Sequence, residues 1–223
     1  MSKRATIAVD IQNDYFPGGR FPLEGMEQAA ANARAVLDAA RERGDLIVHV
    51  RHEFADASAP FFHPGSPGAD INPAAAPQGD EVVLTKNNVN AFKDTDLQRI
   101  LDDNGITDVV IVGAMSHMCI DAATRAASDL GYRTTVIADA CATRDLEFQG
   151  TTVPAAQVHA AMMSGLAFGY ATVTDARDWI GNPGSLTHPT LVADAGLLCG
   201  DRGLNSDGLP RRGDRGTIRG GDP

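Results

Sequence analysis

Cysteine is scarce in this sequence, and its arrangement excludes a disulfide framework. The 223 residues contain three cysteines, Cys119, Cys141 and Cys199, an odd number with no C-x-x-C pair. Proteins stabilised by disulfides carry even sets of cysteines at short spacing. We therefore expect a protein of a reducing compartment, whose thiols are free.

Positive charge and long apolar runs are also scarce. Lysine and arginine total 19 against 29 acidic residues, which gives a net charge of −10 and a pI near 4.9. An acidic surface repels phosphate groups, so neither nucleic acid nor a membrane is expected as a partner. No apolar signal segment follows the first residues, and no run reaches transmembrane length. We therefore expect a cytoplasmic location.

Two motifs of common enzyme classes are absent. The first predicted strand is followed by Ile-Gln-Asn-Asp-Tyr-Phe and not by G-x-G-x-x-G, which disfavours a nucleotide-binding Rossmann protein. The chain has no G-x-S-x-G elbow either, so a serine hydrolase is unsupported.

Apolar runs that alternate with segments of helical period predict an α/β domain. Hydrophobic residues make up 43% of the chain, enough for one well-buried domain. Strands are predicted at 5–9, 46–50, 82–85, 108–113, 134–138 and 171–174. Helices are predicted at 24–43, 94–104, 117–130 and 153–165, the third ending at Gly131. Strands that are apolar on both faces and separated by helices predict a parallel sheet with helices on each side.

Two stretches lack this alternation. Residues 54–80 are rich in Pro, Gly and Ala, and a loop of that length is usually functional or flexible. Residues 181–223 are dense in Gly, Pro, Asp and Arg and show no clear period. We therefore expect a domain at 1–180 and a largely disordered tail at 181–223.

Cys119 lies where a buried strand gives way to a helix. The helix is expected to begin near His117, with Ser116 as the side chain that caps its free N–H groups. The sulfur would then lie in the first helical turn, where the helix dipole lowers the pKa of a thiol. A thiol activated in this way indicates covalent catalysis.

Three chemically reactive residues follow three predicted strands. Asp10 ends the first strand, Lys86 follows the third and Cys119 follows the fourth. Ligands of a parallel α/β sheet bind beyond the carboxyl ends of its strands, so the three side chains are expected at one edge. Asp10 could accept the thiol proton and return it to a leaving amine, while Lys86 could stabilise the thiolate. Each residue taken alone is also accounted for by a turn, a solvated surface or core packing.

These residues stand in motifs that resemble the isochorismatase-like cysteine hydrolases, a superfamily with nicotinamidases, N-carbamoylsarcosine amidohydrolases, isochorismatases and streptothricin hydrolases. The motifs are Val9-Asp10-Ile-Gln-Asn-Asp14-Tyr-Phe, Thr85-Lys86 and Gly113-Ala-Met-Ser-His-Met-Cys119, and the resemblance covers about 5–174. It implies a six-stranded parallel, Rossmann-like sheet and an Asp–Lys–Cys triad at Asp10, Lys86 and Cys119. It also implies a cis peptide bond between Ala114 and Met115, with the N–H groups of Met115 and Cys119 binding an oxyanion.

The residues around these motifs give further expectations. Phe16, Phe92 and His117 flank the triad segments and are candidates for a substrate pocket, although core packing or a solvated surface would account for them equally well. The resemblance implies a homodimer or homotetramer, and the expected partner is a small-molecule substrate.

A metal site is not expected, although nicotinamidases bind a metal through Asp-x-His after the second strand. Here Arg51 replaces the aspartate and Glu53 replaces the histidine, and a cation at a ligand position opposes a metal. His52 and His63 remain, but two histidines beside a loop are weak grounds for a site. We therefore expect no metal and no cofactor.

The resulting functional hypothesis is a metal-independent cysteine amidohydrolase. A cysteine nucleophile favours an amide, lactam or carbamoyl C–N bond over the vinyl ether that isochorismatase cleaves. Arg51-His-Glu-Phe with Pro64-Gly-Ser-Pro-Gly-Ala resembles the streptothricin-hydrolase-like branch of the family. Two alternatives stay open: an isochorismatase-type vinyl-ether hydrolase, and a non-catalytic or redox module on the same sheet.

Overall fold

A computed structural model describes residues 3–56 and 58–182, and within them the chain forms one parallel α/β sheet. The strands of this sheet are β1 (Arg4–Val9), β2 (Leu46–His52), β3 (Val82–Lys86), β4 (Asp108–Ala114), β5 (Arg133–Ala142) and β8 (Thr172–Thr174). The two remaining strands, β6 (Leu146–Phe148) and β7 (Thr151–Val153), form a separate hairpin between β5 and β8 in the sequence. The helices are α1 (Met26–Arg43), α2 (Leu97–Asp103), α3 (Asp121–Asp129), α4 (Ala155–Gly169) and α5 (Ala176–Gly181). The prediction of a six-stranded parallel sheet is confirmed.

The order of the strands creates one crevice at the carboxyl edge of the sheet. Its order is β3-β2-β1-β4-β5-β8, so the chain runs outward from β1 to β3 and then crosses to β4 on the other side. Such a reversal leaves the loops after β1 and β4 diverging, which opens a site between them. The residues that follow β1 and β4 therefore reach the same crevice.

Helices cover both faces of the sheet because its strands are apolar on both faces. One hydrophobic cluster joins the sheet to α1 and α5, and the second joins it to α2, α3 and α4. Strand β4 has six buried residues in succession, as expected for a central parallel strand. Among the described residues, no helix is both long enough and apolar enough to cross a bilayer.

The structure contains elements that periodicity does not predict. The β6–β7 hairpin is antiparallel and its two strands have only three residues each, too short to show alternation. Helix α5 is also absent from the prediction, and it buries Trp179 under Arg43. Residues 183–223 lie outside the described residues, and so does the predicted tail at 181–223 apart from its first two positions.

The long loop at 54–80 packs against the domain. Phe61 and Phe62 are buried and contact the ring of Tyr15, and a short 3₁₀ helix, Pro73–Ala75, lies within the loop. The Phe62 N–H donates to a carboxylate oxygen of Asp14 at 2.8 Å. These contacts fix the described part of the loop beside the β1 end of the crevice.

The third helical segment starts near the predicted position, but its first turn is not α-helical. Ser116–Ile120 forms a π-helical turn, in which the Ile120 N–H reaches the Met115 carbonyl, and α3 begins only at Asp121. Ser116 does not cap the helix, because its hydroxyl bonds His159 Nδ1 at 2.8 Å and the Ala142 carbonyl at 3.2 Å. The predicted stop at Gly131 is confirmed by its φ of +94°.

Replacing Gly113 with alanine is expected to destabilise the sheet strongly. Gly113 pairs with Val9 across β1 and β4 and has a φ of +125°, and an added Cβ would lie 1.9 Å from the Val9 carbonyl oxygen. Because that oxygen is backbone, the two central strands would have to separate, and we expect a loss of about 4 kcal/mol or more. Urea denaturation followed by circular dichroism measures it.

Gly131→Ala is the matched control for this prediction. Gly131 also has a left-handed φ, but no atom lies within 4 Å of its added Cβ, so only the backbone conformation is strained. That strain costs about 1–2 kcal/mol. Equal losses in the two variants would show that the close contact with Val9 is unimportant.

Candidate active site

The structure brings Asp10, Lys86 and Cys119 together at the crevice. Lys86 Nζ lies 2.9 Å from Asp10 Oδ2 and 3.2 Å from Cys119 Sγ. The side chains of Asp10 and Lys86 are fully buried, and Cys119 is 6% exposed. The Lys86 ammonium therefore lies within hydrogen-bonding distance of both a carboxylate and a thiol, in a buried site.

Each residue is placed by the end of a strand. Asp10 directly follows β1 with a left-handed φ of 53°, and its N–H donates to the Val50 carbonyl at 2.8 Å. Lys86 is the last residue of β3, and Cys119 lies in the π-helical turn after β4. Three non-adjacent parts of the sequence thus meet because β1, β3 and β4 end at the same edge of the sheet, with only β2 between β1 and β3.

The predicted fall in the pKa of Cys119 is wrong. Burial raises the pKa of this thiol well above its ordinary value, and the negative charge of Asp10 raises it further, although Lys86 opposes both effects. The thiol lies in a π-helical turn that leads directly into α3, and burial outweighs any effect of the helix N-terminus on its pKa. The resting sulfur is therefore protonated and needs a base before it can act as a nucleophile.

Lys86 keeps its charge in this site. Burial lowers the pKa of its ammonium, but attraction to Asp10 and Cys119 outweighs that effect, so the pKa is raised overall. Lys86 Nζ also donates to the Asn88 carbonyl at 3.2 Å. A fixed positive charge is therefore available beside the sulfur.

His52 is a member of this cluster to which the sequence analysis assigns no role. It ends β2, its Nδ1 lies 2.9 Å from Lys86 Nζ, and it is 5% exposed. Register pairs His52 with Lys86 across β2 and β3. Extending β2 by two residues would have placed His52 at the same sheet edge as the triad.

The stretch that corresponds to the nicotinamidase metal motif is occupied by ion pairs. Arg51 contacts the Glu53 carboxylate and donates to Thr85 Oγ1 at 3.1 Å. Within residues 3–56 and 58–182, no three His, Cys, Asp or Glu side chains are grouped so that they could hold a metal ion. The expectation of no metal and no cofactor stays a prediction.

The backbone of Met115 is hydrogen-bonded to the turn that carries Cys119. The cis peptide bond between Ala114 and Met115 is present, and the Met115 carbonyl accepts the N–H groups of Met118 and Ile120 at 3.0 and 3.2 Å. These bonds hold the turn that carries Cys119. The oxyanion role of the Met115 and Cys119 N–H groups stays a prediction.

His117 lines a pocket beside this turn. The pocket has a volume of about 460 Å³, and its walls include Met115, Met118, Phe21 and Arg144. His117 Nδ1 bonds Thr143 Oγ1 at 2.6 Å, and the Arg144 guanidinium lies 4.1 Å from the centre of the Phe21 ring. An aromatic ring, a thioether and a cation therefore surround space next to the Cys119 turn.

The other two pocket candidates, Phe16 and Phe92, do not line this pocket. Phe16 lines a different pocket, of about 450 Å³, with Asp14 and Gly68. Phe92 stacks on Tyr132, at 6.3 Å between ring centres, and packs against the hydrophobic cluster that includes Cys119. The pocket role of these residues stays a prediction.

Comparisons with known proteins agree with this architecture. A family model described as the Isochorismatase domain matches residues 4–177. An isochorismatase-hydrolase homologue from Oleispira antarctica has a crystal structure that is 55% identical, with a TM-score of 0.78, covering 81% of this chain and 97% of its own. The uncharacterized isochorismatase family protein YddQ of Bacillus subtilis is 43% identical over 169 residues, 76% of this chain and 94% of that protein.

An enzyme with a named substrate is also similar. Streptothricin hydrolase from Streptomyces noursei is 33% identical over 159 residues, which span 69% of this chain and 55% of that enzyme. The family model covers most of the described residues, and the resemblance inferred from the Asp10, Lys86 and Cys119 motifs is confirmed. This chain therefore belongs to the isochorismatase family of hydrolases.

Proposed function

We propose that this chain is a cysteine amidohydrolase that cleaves the C–N bond of a small amide, lactam or carbamoyl compound through a thioester. The observation that carries the proposal is the position of Lys86, whose ammonium lies 2.9 Å from Asp10 and 3.2 Å from Cys119. A thiol forms a covalent intermediate most readily with an acyl carbon. Similarity to streptothricin hydrolase supports a small-molecule substrate.

In the first half-reaction Cys119 attacks the acyl carbon. As the Sγ–C bond forms, the thiol proton moves to Asp10 and the carbonyl π electrons move to oxygen. Because burial raises the pKa of the thiol, the attack requires a base, and Asp10 is the base that we propose. The positive charge of Lys86 then faces the negative charge of the tetrahedral intermediate.

The intermediate collapses with Asp10 as the acid. The C–N bond breaks, Asp10 returns its proton to the leaving nitrogen, and a thioester remains on Cys119. A water molecule then attacks the thioester and gives its proton to Asp10, the C–S bond breaks, and the proton returns to sulfur. The products are an amine or ammonia and an acid, and the enzyme is restored.

Trapping the thioester tests this proposal. The protein is mixed with a panel of amides, lactams and carbamoyl compounds, quenched in acid and weighed intact by mass spectrometry. We expect at least one compound to modify Cys119: an open-chain amide or carbamoyl compound adds the mass of its acyl group with loss of its amine, and a lactam adds its whole mass because its amine stays attached. Peptide mapping then assigns the modified residue.

Cys141 supplies the matched control for this experiment. It is as buried as Cys119, and burial raises its pKa to about 12, but among the described residues no ammonium lies beside its sulfur, so it is not expected to react. Cys141→Ala should therefore keep the adduct and Cys119→Ala should lose it. An adduct that persists on Cys119→Ala would exclude the proposed nucleophile, and sulfenic acid on Cys119 without product release would favour the redox alternative.

Two further expectations accompany the proposal. The homodimer or homotetramer and the cytoplasmic location stay predictions. Light scattering of the purified chain measures the first of them.

A further inference from the structure

The ring of His52 accepts a hydrogen bond from Lys86. Nδ1 lies 2.9 Å from Lys86 Nζ, and an ammonium has only donors, so Nδ1 carries the acceptor lone pair and the proton is on Nε2. His52 Nε2 is buried and has no hydrogen-bond partner among the described residues. The ring therefore makes its polar contact through Nδ1.

The backbone of His52 is held from both sides by one buried side chain. Gln12 accepts the His52 N–H at 2.7 Å and donates to the His52 carbonyl at 2.8 Å, and it donates to the Ala69 carbonyl at 2.8 Å. The ring of Phe54 packs edge-on against the imidazole at 4.4 Å between centres. These contacts fix where Nδ1 points.

The imidazole stays neutral at the pH at which the enzyme would work. Burial lowers the pKa of His52 to about 4, and the positive charge of Lys86 adds to the effect, while Asp10 and the Asn88 backbone oppose it. A neutral ring can accept from Lys86 without repelling it. A protonated ring would put two positive charges against each other in a buried site.

The Lys86 ammonium has more neighbours than N–H bonds. Four groups surround its three N–H bonds: Asp10, the Asn88 carbonyl, Cys119 and His52. Asp10 and Cys119 change their charge or bonding during the proposed reaction, whereas the Asn88 carbonyl and the His52 ring do not, and the contact with His52 is the shorter of these two. An acceptor that stays constant would keep Nζ in place while the proton moves.

We infer that His52 is a positioning residue, whose neutral Nδ1 holds the Lys86 ammonium between the carboxylate and the sulfur. This inference rests on the proposed function and adds a fourth residue to the proposed machinery. His52 acts through Lys86 and does not itself exchange a proton. Its loss should therefore affect the chemical step more than substrate binding.

A pair of variants tests this role. His52→Asn places an amide oxygen near the position of Nδ1, whereas His52→Leu has a similar volume and no acceptor. We expect His52→Leu to lower kcat about 30-fold with little change in KM, and His52→Asn to recover most of the loss. The alkaline limb of kcat/KM should also move to lower pH in His52→Leu, because a lost acceptor lowers the pKa of Lys86.

Alkylation of Cys119 by iodoacetamide provides a readout that needs no substrate. Because Lys86 lowers the pKa of the thiol, a displaced ammonium should shift the pH dependence of alkylation upward in His52→Leu and not in His52→Asn. This result stands even if no compound of the panel forms an adduct, so it separates failure of this inference from failure of the proposed function. Wild-type alkylation and turnover in His52→Leu would overturn the inference, and so would equal losses in both variants.

Discussion

Cys119→Ala is expected to abolish amide hydrolysis, with kcat/KM falling at least about 10⁴-fold. The reason is that no other described side chain offers a nucleophile between Asp10 and Lys86. The thioester adduct should disappear with the activity, since both depend on the same sulfur. Turnover of the substrate found by the trapping panel, measured as ammonia or amine release, checks the first outcome, and intact mass checks the second.

The fold of this variant should survive. Cys119 is a small buried residue, and its removal leaves the pair of Asp10 and Lys86 with opposite charges in contact. Circular dichroism and thermal unfolding should therefore be close to those of the wild type, and Cys141→Ala should keep full activity. Full turnover by Cys119→Ala would instead favour the vinyl-ether alternative, which does not use a thiol nucleophile.

Much of the fold could be predicted because its strands are buried on both faces. Strand β4 has no polar residue between Asp108 and Ala114, and such a run between helical segments is typical of a central parallel strand. The β6–β7 hairpin could not be predicted in this way. Its strands pair only with each other, outside the main sheet, so their burial follows no simple period.

The sequence predicted that Asp10, Lys86 and Cys119 would lie close together, and it did not predict the pKa of Cys119. Asp10, Lys86 and Cys119 each follow or end a strand, and parallel strands bring such positions together. The pKa of Cys119, in contrast, depends on how much water and which charges surround the sulfur. Burial and Asp10 raise it, and neither effect is visible in the residues next to Cys119.

His52 shows the limit of motifs as a source of site residues. In the sequence His52 is notable only for its position in the stretch that corresponds to the metal-binding Asp-x-His motif of nicotinamidases, where Arg51 and Glu53 occupy the positions of the two metal ligands. The contact with Lys86 arises from register between β2 and β3, which pairs the two residues. Register between strands is set by packing over the whole sheet, and a short motif does not contain it.

Asp10→Asn is expected to lower amide turnover about 10³-fold, the usual contribution of a general acid–base residue. Asparagine tolerates the left-handed backbone of this position, so the loss reflects the missing proton acceptor. Removing the charge of Asp10 also removes one cause of the raised pKa of Cys119, so alkylation of the thiol should become faster. If hydrolysis becomes slower while the thiol becomes more reactive, the defect lies in proton transfer and not in the nucleophile.

The leaving group provides the decisive comparison for Asp10. An aryl ester has a leaving group that departs without a proton, whereas an amide nitrogen must be protonated. The first turnover of a p-nitrophenyl ester should therefore fall much less than amide hydrolysis in Asp10→Asn. Equal losses for the two substrates would mean that Asp10 does not act as the acid toward the leaving nitrogen.

Asp10→Asn should also make the free energy of unfolding depend on pH, because the pKa of Lys86 then differs between the folded and the unfolded chain. Without its partner the buried ammonium costs about 3–5 kcal/mol, and burial then lowers the folded pKa of Lys86 below its unfolded value of about 10.4. Between those two pKa values the unfolded chain binds more protons than the folded chain, so the variant gains stability as the pH rises toward 10.

The double variant Asp10→Asn with Lys86→Met removes the buried positive charge, and its stability should recover at neutral pH while its activity stays lost. Urea denaturation between pH 7 and 10 measures the free energy of unfolding of both variants. A double variant as unstable as Asp10→Asn would mean that the unpaired Lys86 charge is not the source of the lost stability.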